Sequence, residues 1–98
     1  MRLLFILISI FTSAVCLAQN VNLTFRVDMN AEVISPNGVH IAGNFQSPAG
    51  LGDNWNPSTT LMSDANGDKI YEITVSVPPG TYEYKFINGN AWGSDENP

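Results

Sequence analysis

From Val21 to Met29 the chain reads VNLTFRVDM, alternating apolar and polar positions without a fault. Successive side chains on a strand point to opposite faces, so this run predicts a half-buried β-strand with Leu23, Phe25 and Val27 facing inward. The same period returns between Ile70 and Val77, where Tyr71, Ile73, Val75 and Val77 alternate with Glu72, Thr74 and Ser76. Pro36-Asn37-Gly38 marks a turn, and Val39-His40-Ile41-Ala42 begins another strand. On that strand the parity of His40 points it to solvent. From Gly43 to Thr60 the chain is rich in Gly, Asn, Pro and Ser and has no period, which predicts a long irregular connection. Asn66-Gly67 opens a further turn, and Pro78-Pro79-Gly80 breaks the Ile70–Val77 strand. No stretch carries the period of about 3.6 residues that an amphipathic helix requires. The pattern predicts one all-β sandwich with no internal repeat and no linker.

Residues 82–93, YEYKFINGNAWG, predict a hairpin. Asn88-Gly89 suits a type I′ turn, which needs positive φ at both central positions. Such a turn sets Lys85 opposite Trp92. Alternation then gives Tyr82, Tyr84 and Phe86 to the core face, and Glu83, Lys85, Ile87 and the Trp to the other.

The N-terminus changes the picture of the whole chain. MRLLFILISIFTSAVCLA has one basic residue, an unbroken apolar run from Leu3 to Ile8, and small residues ending at Ala18. This is the pattern of a secretory signal peptide, residues 1–18, cleaved before Gln19. A spanning helix needs about 20 apolar residues, and Ser9, Thr12 and Ser13 interrupt this one. A lipoprotein signal wants a small residue where Val15 precedes Cys16. Cleavage leaves residues 19–98 as a single exported domain, secreted, periplasmic or at the cell surface, with no membrane attachment of its own. It also removes the only Cys, so neither a disulfide nor thiol chemistry is available to the mature chain.

The remaining basic residues are Arg26, Lys69 and Lys85, against nine acidic ones. That balance excludes nucleic acid and anionic membrane as partners, because either would need a basic patch. Catalysis finds few candidates. His40 is the only His, and Asp95 and Glu96 are adjacent, so on extended backbone they point apart and cannot flank one glycosidic bond. Asp64-Ala65-Asn66-Gly67-Asp68 offers oxygens at alternate positions, as a calcium loop would. An EF-hand-type loop, however, wants Gly sixth and Glu twelfth, where Lys69 and Val75 stand. A turn whose side chains bond their own backbone accounts for the same residues. Asn22-Leu23-Thr24 fits a glycosylation acceptor but lies within a strand. The sequence implies no metal site and no cofactor.

Two tryptophans remain. Trp55 lies in the polar stretch Asp53-Asn54-Trp55-Asn56-Pro57. It can fold back to cap the core, or it can join Trp92 as an aromatic platform ringed by Asn54, Asn56, Asn90 and Lys85. A sugar ring suits such a platform, with an apolar C–H face for stacking and hydroxyls for amide and ammonium groups. The pattern of residues leaves both readings open.

The blocks Val39–Phe45, Trp55-Asn56-Pro57, Leu61–Asp64 with Asn66-Gly67-Asp68, Pro79-Gly80-Thr81-Tyr82-Glu83-Tyr84-Lys85-Phe86 and Asn88–Trp92 resemble the starch- and glycogen-binding modules. Similar modules are the glycogen-binding domain of the AMP-activated kinase β subunit and the N-terminal domains of branching enzymes. The resemblance implies an immunoglobulin-like, early-set β-sandwich that binds α-glucan without catalysis. It implies that Trp55, Lys85 and Trp92 contact the glucan; Asn90, one of the amides ringing the platform, completes the expected site. In this chain Ser47–Asp53 is inserted before Asn54-Trp55, and the pattern's closing strand is missing after Asp95-Glu96-Asn97-Pro98. The expected partner is an α-glucan polysaccharide or oligosaccharide, together with the rest of a larger secreted protein. The competing expectation is a structural or adhesive immunoglobulin-like module that binds no sugar and uses the tryptophans for packing.

Overall fold

The computed structural model describes residues 19–93, and these form four strands and no helix. β1 (Val21–Asp28) and β3 (Ile70–Val77) make one antiparallel two-stranded sheet, and β2 (Val39–Gly43) and β4 (Tyr84–Asn88) make the other. Among the described residues no helix is long and apolar enough to cross a membrane. The expected signal peptide, the Asp95-Glu96 pair and any closing strand lie outside the described residues.

β1 and β3 follow their sequence period. Phe25 pairs with Ile73, Leu23 with Val75 and Val21 with Val77, so the apolar faces of the two strands coincide. The outer face carries a Thr24–Thr74 hydroxyl pair at 2.8 Å and an Arg26–Glu72 ion pair at 3.1 Å. Both ionic partners are well exposed, so that pair contributes little, at most about 1 kcal/mol.

Thr60 to Ser63 joins the sheets. Ile41 N donates to Thr60 O at 3.1 Å and Met62 N to Val39 O at 2.8 Å, which places this segment beside β2. One residue on, Ser63 exchanges both backbone bonds with Glu72 of β3. A strand that changes sheets in this way makes a corner of a sandwich. Between the sheets lies one core containing Phe25, Val39, Ile41, Phe45, Met62 and Val77. Full burial of each such side chain stabilises by about 1.5–3 kcal/mol, so Phe45, Ile41 and Ile87, which are wholly enclosed, matter more than the surface ion pair.

Three expectations are overturned here. The first is the hairpin. β4 pairs with β2, Lys85 lies opposite Ala42 rather than Trp92, and Trp92 stands in a turn instead of a strand. Asn88 does not take positive φ. Its side chain is committed elsewhere, accepting from Ser35 N at 2.8 Å and donating to Val33 O at 2.8 Å. The second is His40, which is buried at 6% exposure rather than facing solvent. β2 is flanked by β4 on one edge and Thr60–Met62 on the other, and it is buried on both faces.

The third concerns burial on the faces of β4. The alternation itself holds, since Tyr82 and Phe86 pack on the core cluster and Tyr84 packs edge-on against Phe25 and Phe86. What differs is burial, because Ile87 on the opposite face is wholly enclosed while Tyr84 is 47% exposed. The His40 imidazole donates to the Gly89 carbonyl, so the chain leaving β4 stays against the face that carries Ile87.

The Asp64–Lys69 loop takes the turn form. Gly67 N donates to Asp64 O, Asp68 N to Asn66 Oδ1, Lys69 N to Asp64 Oδ2 and Ile70 N to Asp68 Oδ1. Asp64 Oδ2, Asn66 Oδ1 and Asp68 Oδ1 thus serve the loop's own backbone, while Asp64 Oδ1 is buried without a hydrogen-bond partner. Among the described residues no three His, Cys, Asp or Glu side chains gather where they could hold a metal ion.

Candidate carbohydrate-binding site

Trp55 and Trp92 meet on the surface. Their ring centroids are 6.5 Å apart with the planes tilted by 38°, inside the range of about 4.5–7 Å for directly packed aromatic rings. Trp55 is 38% exposed and Trp92 45%. Trp55 therefore does not cap the core. The two indoles make one continuous, angled apolar surface rather than two separate spots.

Each indole is held by a different loop. Trp55 follows β2 at its Gly43 end, and its N–H donates to the Gly43 carbonyl at 3.1 Å. The peptide takes φ 60° at Trp55, a left-handed conformation that a bulky residue adopts only where its surroundings impose it. Trp92 follows β4 at the other end of the same ladder, where Val39 pairs with Asn88. There Gly89 N donates to Gly38 O at 2.7 Å, and Gly89 O accepts from the His40 Nδ1–H at 2.6 Å. A carbonyl can only accept, which fixes the proton on Nδ1. Gly89 sits at φ 128°, which favours glycine.

The segment Ser47–Asp53 is compact. Ala49 N bonds to Phe45 O, Gly50 N to Ser47 O and Leu51 N to Gln46 O, and Ser47 N donates to Asn54 Oδ1 at 2.7 Å. The segment therefore folds back on itself and returns the chain to Gly43, delivering Trp55 to Trp92.

Sequence reasoning missed the residue that organises this loop. Gln46 is wholly buried. Its Oε1 accepts from Gly43 N at 3.2 Å and from Asn56 N at 3.0 Å. Its Nε2 donates to Asn56 O at 2.9 Å and Thr60 Oγ1 at 3.0 Å, with Thr59 Oγ1 at 3.4 Å. Both acceptor sites and both protons of the amide are thus engaged.

The other expected site residues are placed less centrally. Lys85 is half-buried in β4 opposite Ala42, the residue before the Gly43 that holds Trp55. Asn90 is exposed, two positions before Trp92. The oxygens of Asn54 and Asn56 are taken up in turns, by Ser47 N and by Ser58 N and Oγ respectively. Chemically the arrangement offers an apolar stacking surface with polar groups nearby.

An all-β domain with a paired-indole surface of this kind fits the general class of non-covalent binding modules. Comparison with known proteins defines the family. Residues 38–97 match the pullulanase X25 domain, and the chain belongs to that family. It is 36% identical over 93 residues to an amylopullulanase of Thermoanaerobacterium thermosulfurigenes, a match covering 83% of this chain and 5% of that protein. An amylopullulanase of Thermoanaerobacterium saccharolyticum is 40% identical over 57 residues, covering 56% of the chain and 4% of the relative. A third, from Thermoanaerobacter thermohydrosulfuricus, is 41% identical over 54 residues, covering 53% and 4%. The chain thus spans about a twentieth of the length of these relatives. No solved structure matches it significantly. These matches support a starch-binding type of module in the broad sense, and not the finer likeness to the kinase subunit or the branching enzymes.

Proposed function

We propose that this domain is a non-catalytic α-glucan-binding module of an exported protein, and that Trp55 and Trp92 stack on consecutive sugars. The observation that carries the reading is the contact between two exposed indoles, each fixed by a separate loop of the same β2–β4 ladder. A flexible surface Trp would lose conformational entropy on binding, whereas a pre-organised pair does not. Lys85 and Asn90 supply hydroxyl partners at the rim. Membership of a pullulanase domain family and likeness to amylopullulanases, whose name is built on starch and pullulan, favour an α-glucan over other sugars. The sandwich is of the immunoglobulin-like type, and residues 1–18 direct its export. N-terminal sequencing of the exported product should begin at Gln19; retention of Met1 on a membrane-held product would refute that assignment.

The test of function is affinity electrophoresis of the domain in native gels cast with and without glycogen or soluble starch. Retardation that free maltoheptaose relieves is the expected result. Equal mobility in all gels would transfer the indole pair to a structural or adhesive role.

A further inference from the structure

Trp55 adopts a left-handed backbone conformation on the surface of a loop without regular structure, yet its indole lies against Trp92. Its two backbone neighbours in space explain how. The Gly43 carbonyl takes the Trp55 N–H, and the next peptide is gripped on both sides by the Gln46 amide, which accepts from Asn56 N and donates to Asn56 O. The same amide accepts from Gly43 N, so one buried side chain ties the end of β2 to the residue after Trp55. It also donates to Thr60 Oγ1, where the chain enters the segment paired with β2. A buried amide with every hydrogen-bonding position used in a fixed geometry is rigid, because releasing any one bond leaves an unpaired polar group out of water.

We propose that Gln46 is a positioning residue for the binding surface: it touches no sugar, but its amide holds Trp55 in the conformation that packs against Trp92. This rests on the glucan-binding reading for its consequence in function, but the positioning itself is measurable without sugar. The chain has two Trp residues, so coupling between their indole transitions, seen as an exciton couplet in far-ultraviolet circular dichroism, reports this one contact.

Gln46→Met fills nearly the same volume and deletes every amide bond. The variant is expected to unfold cooperatively, to lose the couplet, and to bind maltoheptaose about tenfold or more weakly. Thr60→Val removes one acceptor from the amide, with little change of shape, and should reduce the couplet partially. A folded Gln46→Met protein that keeps the couplet would overturn the proposal, whatever its affinity. If Gln46→Met does not fold, Thr60→Val decides: a reduced couplet in a folded protein supports the positioning role, and an undiminished one overturns it. If the couplet disappears as expected while the parent domain binds no glucan, Gln46 still positions Trp55 and only the glucan reading falls.

Discussion

Replacing Trp92 with Ala separates binding from stability. Trp92 is 45% exposed and lies outside the core cluster, so its removal opens no internal cavity. What the fold loses is the contact with Trp55, and aromatic pairs of this kind contribute about 0.5–1.5 kcal/mol beyond their area. What the complex loses is larger. A sugar stacked on the outer indole face removes roughly 50–80 Å² of apolar surface from water, worth about 1.3–2 kcal/mol at about 25 cal/mol per Å². That corresponds to a dissociation constant raised about eightfold to thirtyfold. The parent should bind a short linear glucan weakly, on the order of tens to hundreds of micromolar, because few contacts must offset the cost of association. Isothermal titration with maltoheptaose, alongside urea unfolding, measures both quantities. Phe45→Ala is the contrast, since Phe45 is wholly enclosed and its truncation should cost about 3–5 kcal/mol of stability. A Trp92→Ala protein destabilised as much as Phe45→Ala would show that the residue is structural, and one that binds as tightly as the parent would remove Trp92 from the site.

Gly43→Ala should be severely destabilising, because an added Cβ would stand 2.2 Å from Glu83 O and 2.9 Å from the Tyr84 Cα, both backbone; thermal unfolding far below the parent is expected, and a near-parental midpoint would contradict the tight β2–β4 approach. Asp68 is held below the usual carboxylate range by its bond from the Ile70 N–H. Its stabilising effect is present above the ordinary unfolded value of about 3.9 and is lost as pH falls through the lower native value. Asp68→Asn should therefore flatten the acid limb of stability against pH, and an unchanged limb would contradict this.

The parts of the fold legible in the sequence are those with one wet face and one dry face. β1 and β3 have such faces, and their period of two located both the strands and their inward residues. β2 is buried on both sides, so parity carried no information there and sent His40 to solvent. For β4 a strong local turn signal, Asn88-Gly89, lost to tertiary demand: β2 occupies the pairing edge and the Asn88 amide serves Ser35 and Val33. Thr60–Ser63 was too short to show any period, although it joins the two sheets.

The contact between Trp55 and Trp92 could not be read from spacing, because it depends on how the Ser47–Asp53 segment folds. Gln46 did carry a signal. A loop much longer than about 12 residues without regular structure has many backbone groups to satisfy, and a Gln at its start is a side chain able to pair with several of them.

The exposed indole pair is the surface proposed to meet the glucan. Collisional quenching of tryptophan fluorescence by acrylamide tests it directly, since Trp55 and Trp92 are the only emitting indoles in the protein. Saturating maltoheptaose should shield both, lowering the quenching slope markedly, while an equal concentration of a β-linked glucose oligomer should leave it unchanged. If maltoheptaose binds by calorimetry yet the slope does not move, the sugar is bound elsewhere, and the assignment of Trp55 and Trp92 to the site is wrong.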